Sequence, residues 1–273
     1  MSERMLGPES LHWRFAGDNR VMLLQVKAAV LQLMHPGLGA GVQFHSRFYG
    51  QSFEGITASV PAIQGMTYDW PHLGRTAAAI KSRHSAIRGV DEVGRRYSAL
   101  APETYFWGHA TMFDMMVDAI DLFAAPLSRG DKDRLYLESL ATYELYDVST
   151  RDVPKNWSDF REYFDHGCAD RLEVTPAAAA LLKARNSPPA EVPGVPAPIY
   201  RLVRKSLGTT MWWLGLGRLH PVVRDRIGFE WTRRDDARLR ALSGVIRSTW
   251  PLLPERARYS REYREAQTRL SRR

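Results

Sequence analysis

The chain of 273 residues has one cysteine, Cys168. That excludes an internal disulfide framework and any metal cage built from several thiolates. No apolar run is long enough to span a bilayer: the most hydrophobic stretch, VMLLQVKAAVLQLM at 21–34, is interrupted by Gln25, Lys27 and Gln32. No secretory, twin-arginine or lipidation signal opens the sequence, and a cytoplasmic protein is expected. Phosphate-binding glycine loops of the GxxxxGK[ST] and GxGxxG types are missing, and so is a GxSxG nucleophile elbow. There is no HExxH and no pair of helical ExxH motifs, which argues against a zincin or a ferritin-like di-iron centre. Alternating strand-and-turn patterns, internal repeats and low-complexity blocks are absent as well.

What is present is helix. Capping residues precede apolar-periodic stretches again and again, as in Thr175-Pro176 before AAAALLKAR and Asp131-Lys132 before a face of Leu135, Ser139, Thr142 and Tyr146. A 44% apolar and 25% charged composition suits a soluble core of this size. The expectation is an all-α multi-helix bundle forming one domain over residues 1–273, with a proline-rich connection at 187–199. Pro61 is expected to kink or divide a helix over 53–68.

The net charge of +8 is uneven: residues 199–273 hold 18 Lys+Arg against 7 Asp+Glu. Such an excess can favour an anionic membrane surface or nucleic acid, nucleic acid being the less expected partner. Because these arginines alternate with acidic and apolar residues, a solvated helical surface is the plainer account of them. A non-catalytic helical protein binding through this third is the alternative to an enzyme.

Chemistry-bearing residues concentrate in histidine. His35, His45, His72, His84 and His109 fall within one 75-residue region. Ala77, Ile80, His84 and Ile87 lie on one helical stripe, and Tyr105, His109, Met112, Phe113 and Met116 on another, so two consecutive helices aim imidazoles into an apolar interior. One imidazole suits haem, since the porphyrin supplies the equatorial donors and the protein need supply one axial nitrogen. Arg88, one turn beyond His84, is placed to pair with a propionate. Spacing alone leaves His84 open between a metal ligand and a hydrogen-bonded core imidazole. His35, before a proline, reads as a helix-terminal charge, and Cys168 as inert packing.

The segments QLMHPGLGAGVQFHSRF (32–48), RHSAIRG (83–89), GRRYSALAPETYFWGHA (94–110), YLESLATYELYDV (136–148) and LHPVVRDRIGFEW (219–231) together resemble the rubber oxygenase family. That family includes latex clearing protein and the mycophenolate-pathway oxygenase that cleaves a farnesyl chain. The resemblance implies an all-helical fold holding one haem b, with His84 as proximal iron ligand and Arg88 beside it. It also implies His109 as a pocket residue and Thr57 on the distal-side helix; His45, which follows a buried segment, is expected by its position to face the distal cavity. The implied activity is activation of O2 at ferrous haem to oxidise or cleave a hydrophobic, isoprenoid- or lipid-like substrate. Ile56 stands where latex clearing proteins have a distal lysine, and Phe53 where they have an arginine; both departures count against rubber itself as the substrate.

Overall fold

The first helices form where the sequence supplies both a cap and an apolar face. In the computed structural model, which describes residues 5–46, 60–184 and 197–272, α1 (Leu11–Ala16) starts at Ser10, whose hydroxyl accepts the Trp13 N–H. A 3-10 turn at Val21–Leu24 leads into α2 (Gln25–Leu33), then α3 (Pro36–His45). His35 caps α3, its Nδ1 accepting the Leu38 N–H, and burial depresses its pKa. The expected helix-end charge is thus a neutral cap. Next come α4 (Val60–Tyr68) and α5 (Leu73–Ser85). Pro61 is the second described residue of α4, and the part of the expected helix before Val60 lies outside the described residues.

A hairpin the periodicity did not show follows: β1 (Arg88–Val90) pairs antiparallel with β2 (Arg96–Ser98), Gly89 opposite Tyr97. Its turn is made by Gly94 at φ 85° and by Asp91, whose carboxylate accepts the Val93 and Arg95 N–H groups. Three-residue strands are too short to display a period of two.

The remaining helices are α6 (Pro102–Phe123), α7 (Arg129–Glu144), α8 (Trp157–His166), α9 (Pro176–Lys183), α10 (Ala197–Gly217), α11 (Pro221–Arg226), α12 (Arg233–Thr249), α13 (Glu255–Arg258) and α14 (Arg261–Leu270). The fold is all-α in character. Residues 197–199, expected in the proline-rich connection, belong to the first turn of α10. Reciprocal capping boxes, Ser128 with Asp131 and Thr232 with Asp235, start α7 and α12. Among the described residues no single helix is long and apolar enough to cross a membrane.

The core is organised around α2, which packs against α6 on one side and α10 on another. Val26, Val30, Leu31 and Met34 are fully buried, in one apolar cluster with Trp107, Phe113, Trp212 and Leu214. Residues on both sides of 185–196 share that cluster. Gly215 makes the approach of α10 possible: a Cβ there would lie 2.6 Å from Val26 Cβ and 2.9 Å from the Lys27 backbone nitrogen. Lys27 faces inward, where its ammonium meets Asp114 at 2.6 Å and Asp118 at 2.8 Å. Arg161 closes on Asp114 and Arg218 on Asp118, so the charge that interrupts the apolar run is buried with its counterions. Burial opposes the Lys27 charge, but the two carboxylates outweigh it and raise its pKa.

Candidate active site

His84 lies in the last turn of α5. The helix is seated by buried Leu73 and Ala77, and Lys81 ties it to the end of α7 through the Asp147 carbonyl (2.7 Å) and carboxylate (2.8 Å). The His84 Nδ1 is 2.8 Å from the Ile80 carbonyl oxygen. A carbonyl only accepts, so the proton of the neutral ring must be on Nδ1, and Nε2 carries the free lone pair. That is the orientation a metal-binding imidazole requires, with the second nitrogen fixed by a backbone acceptor. Tyr105 meets the ring edge-on, centroids 5.6 Å apart.

The wall beyond Tyr105 comes from α6. This helix is buried at nearly every position from Thr104 to Ile120, yet Tyr105, Gly108, His109 and Met112 stay partly accessible, and they share one face. His109 is bonded through Nε2 to Ser139 Oγ at 2.8 Å and lies against Phe106 and Tyr143. Burial, with His12 nearby, pushes its pKa down to about 3. His12, on α1, is pushed down to about 4 by burial alone; its Nδ1 is 3.3 Å from Thr67 Oγ1. Both rings are deep enough to be desolvated, and both still present surface. Desolvation is thus strong at both residues although packing around them is not complete.

His84 and His109 do not touch. They are joined ring to ring through Tyr105 and Tyr143, whose centroids are 6.1 Å apart, with Tyr146 against both tyrosines. Arg88 is not on the His84 helix, because α5 ends at Ser85 and the chain turns through Ala86 and Ile87 before Arg88 opens β1. Its side chain is exposed and has no ion-pair partner among the described residues. His45, the last residue of α3, is exposed, with Nε2 3.0 Å from Tyr97 Oη on β2. Gly41 of α3 lies against Ile87, a Cβ there falling 3.1 Å from its Cγ2. His84, Arg88 and His45 are thus gathered where α3, the end of α5 and the hairpin meet. Thr57, with Phe53 and Ile56, lies outside the described residues.

Among the described residues no group of three or more His, Cys, Asp or Glu side chains could hold a metal ion. A cofactor bringing its own equatorial donors and asking for one nitrogen fits this donor set; a bare ion does not. Sequence reasoning missed His12, Thr67 and the role of Ser139. A six-residue helix offers no period to read, and His12 meets Thr67 across 55 residues of chain. Cys168 is buried without exposure and its thiol is pushed up to about 12, which suits packing and not catalysis.

His84, with one lone-pair nitrogen, is thus linked through aromatic rings to the partly accessible face of α6. The model of one family, described as ER-bound oxygenase mpaB/B'/Rubber oxygenase, catalytic domain, matches residues 13–248. The chain belongs to this family of oxygenase catalytic domains, and the class is oxidoreductase. No curated protein and no solved structure matches the chain.

Proposed function

We propose that the protein is a haem b-dependent oxygenase that uses O2 to oxidise a hydrophobic small molecule, by a dioxygenase-type cleavage of a carbon–carbon double bond. The observation that carries this reading is the His84 Nδ1 bond to the Ile80 carbonyl, which leaves Nε2 bare. His84 would hold the iron, and Arg88 and His45 would meet the propionate edge. Bound there, haem would supply the centre at which dioxygen is activated. The chain's own contribution is the surroundings. Tyr105, Met112 and the other partly accessible residues of α6 offer apolar surface to a hydrocarbon chain and keep water out. With its pKa near 3, His109 stays neutral and acts as a hydrogen-bonding group at Nδ1 rather than as a charge. Thr57 is assigned to the distal side by the family resemblance.

The test is an absorption spectrum of the purified protein with a pyridine haemochrome assay. A Soret band with about one haem per chain is expected. His84→Ala should lose most of it while keeping its circular dichroism, and added imidazole should restore binding. A colourless protein that refuses haem on reconstitution overturns the reading. A cytoplasmic location is proposed with it.

A peripheral contact with an anionic membrane is a second reading of the same protein. Arg233, Arg234, Arg238 and Arg240 are exposed on α12, and Leu252, just beyond its end, is 82% exposed. Co-sedimentation with phosphatidylserine vesicles should weaken with salt and on neutralising these four arginines. Binding indifferent to both removes this reading.

A further inference from the structure

We infer that His12 and His109 form a polar recognition site for a neutral oxygen function, a hydroxyl or carbonyl, on an otherwise apolar substrate. The inference deepens the oxygenase reading and rests on it for the identity of the cavity. His12 lies one residue before the stretch that matches the family, on a helix that runs into it.

Four helices build the site. His12 comes from α1 and is oriented by Thr67 of α4, through Nδ1 at 3.3 Å. His109 comes from α6 and is oriented by Ser139 of α7, through Nε2 at 2.8 Å. The two imidazoles are also anchored to consecutive residues of α7, because the His12 backbone N–H donates to Glu138 Oε2 at 2.8 Å. Thr67, Glu138 and Ser139 are all buried, so the supports are rigid. Each ring therefore has one nitrogen engaged by a hydroxyl and one, His12 Nε2 and His109 Nδ1, without a partner among the described residues. Both residues keep some accessible surface, and they are near enough for a charge on His12 to be felt at His109. Two nitrogens left without partners in desolvating surroundings suit a ligand that donates to one and accepts from the other.

The sign of the head group follows from the charges around the pair. Desolvation keeps both imidazoles neutral, and the carboxylate that reaches the His12 backbone, Glu138, is already paired with Arg134 at 2.8 Å. No free cation among the described residues faces the pair to receive a carboxylate or phosphate. An alcohol can donate and accept at once, and a carbonyl can accept from one protonated nitrogen; neither brings a charge into the desolvated site.

Saturated probes test this by binding, with no turnover needed: decanol, decanoate and decane, titrated against the purified protein and followed by tryptophan fluorescence. Decanol should bind about tenfold more tightly than either of the others. His12→Phe, which keeps a flat ring in place, should weaken decanol about three- to tenfold and leave decane unchanged. Thr67→Val, nearly isosteric, should weaken decanol about threefold and serves if the first variant does not fold. Decanoate binding as tightly as decanol, or a preference for decanol that survives in both variants, overturns the proposal. The haemochrome assay on the same preparation separates the two readings. A haem-free protein that prefers decanol keeps the imidazole pair and removes the haem. A haem-loaded protein that binds decanol and decanoate alike removes the pair and keeps the haem.

Discussion

Between about pH 7 and pH 5 the protein should lose a few kcal/mol of stability, and the loss should reside in its histidines. His12 and His109 have folded-state pKa values near 4 and near 3, against an ordinary 6.5. As pH falls below about 6.5 the unfolded chain takes up a proton on each imidazole while the folded chain does not, so the unfolded state gains. Stability is fully present above the unfolded value and declines until the folded pKa is reached. Each linked proton is worth about 1.4 kcal/mol per pH unit, which over this window gives about 2 kcal/mol per imidazole. Both residues keep some accessible surface, so solvent screening leaves roughly 2–4 kcal/mol for the pair as the expected range. His35, also depressed by burial, adds in the same direction. The carboxylate of Asp118 does not interfere, because Lys27 and Arg218 overcome the cost of its burial and hold it below the usual range, outside this window. Urea unfolding followed by tryptophan fluorescence at about pH 7, 6 and 5 measures the slope, and His12→Phe or His109→Phe should each remove about half of the pair's share. A stability flat over this window, or a slope unchanged in both variants, refutes the account.

Three further outcomes follow from the packing. Lys27→Met leaves Asp114 and Asp118 with one cation each in the interior and should cost about 3–5 kcal/mol in chemical denaturation; a loss under about 1 kcal/mol contradicts the buried network. Gly215→Ala sets a methyl group against the Lys27 backbone, which cannot yield as a side chain would, and should cost about 1–3 kcal/mol as α10 is pushed off α2. Cys168 should resist Ellman's reagent at mildly alkaline pH in the folded protein and react at the rate of unfolding; rapid labelling of the native state would contradict its burial.

The helices were legible because their signals are local. Caps such as Ser128, Thr175 and Thr232 act on backbone groups two or three residues away, and the stripe of Tyr105, His109 and Met112 repeats within a single helix. The ligand geometry proposed for His84 was half legible on the same ground: its Nδ1 partner, Ile80, is four residues back along one helix. The helical placement of Arg88 differed because the stripe continued on paper past Ser85, whereas backbone pairing of residues 88–90 with 96–98 turns the chain into a hairpin.

Contacts across the chain were another matter. That Lys27, which interrupts the apolar run, can be buried depends on two carboxylates far along the chain, Asp114 and Asp118. His12 carried no period and no motif; its meaning came from Thr67, Glu138 and His109, brought to it by three other helices. The physical reason is one of range. Helix formation, capping and amphipathic facing are decided within about a turn or two, and the residue order records them. Which polar groups meet inside is decided by how the helices pack, and desolvation then sets whether each imidazole is a charge, a metal ligand or a hydrogen-bonding group.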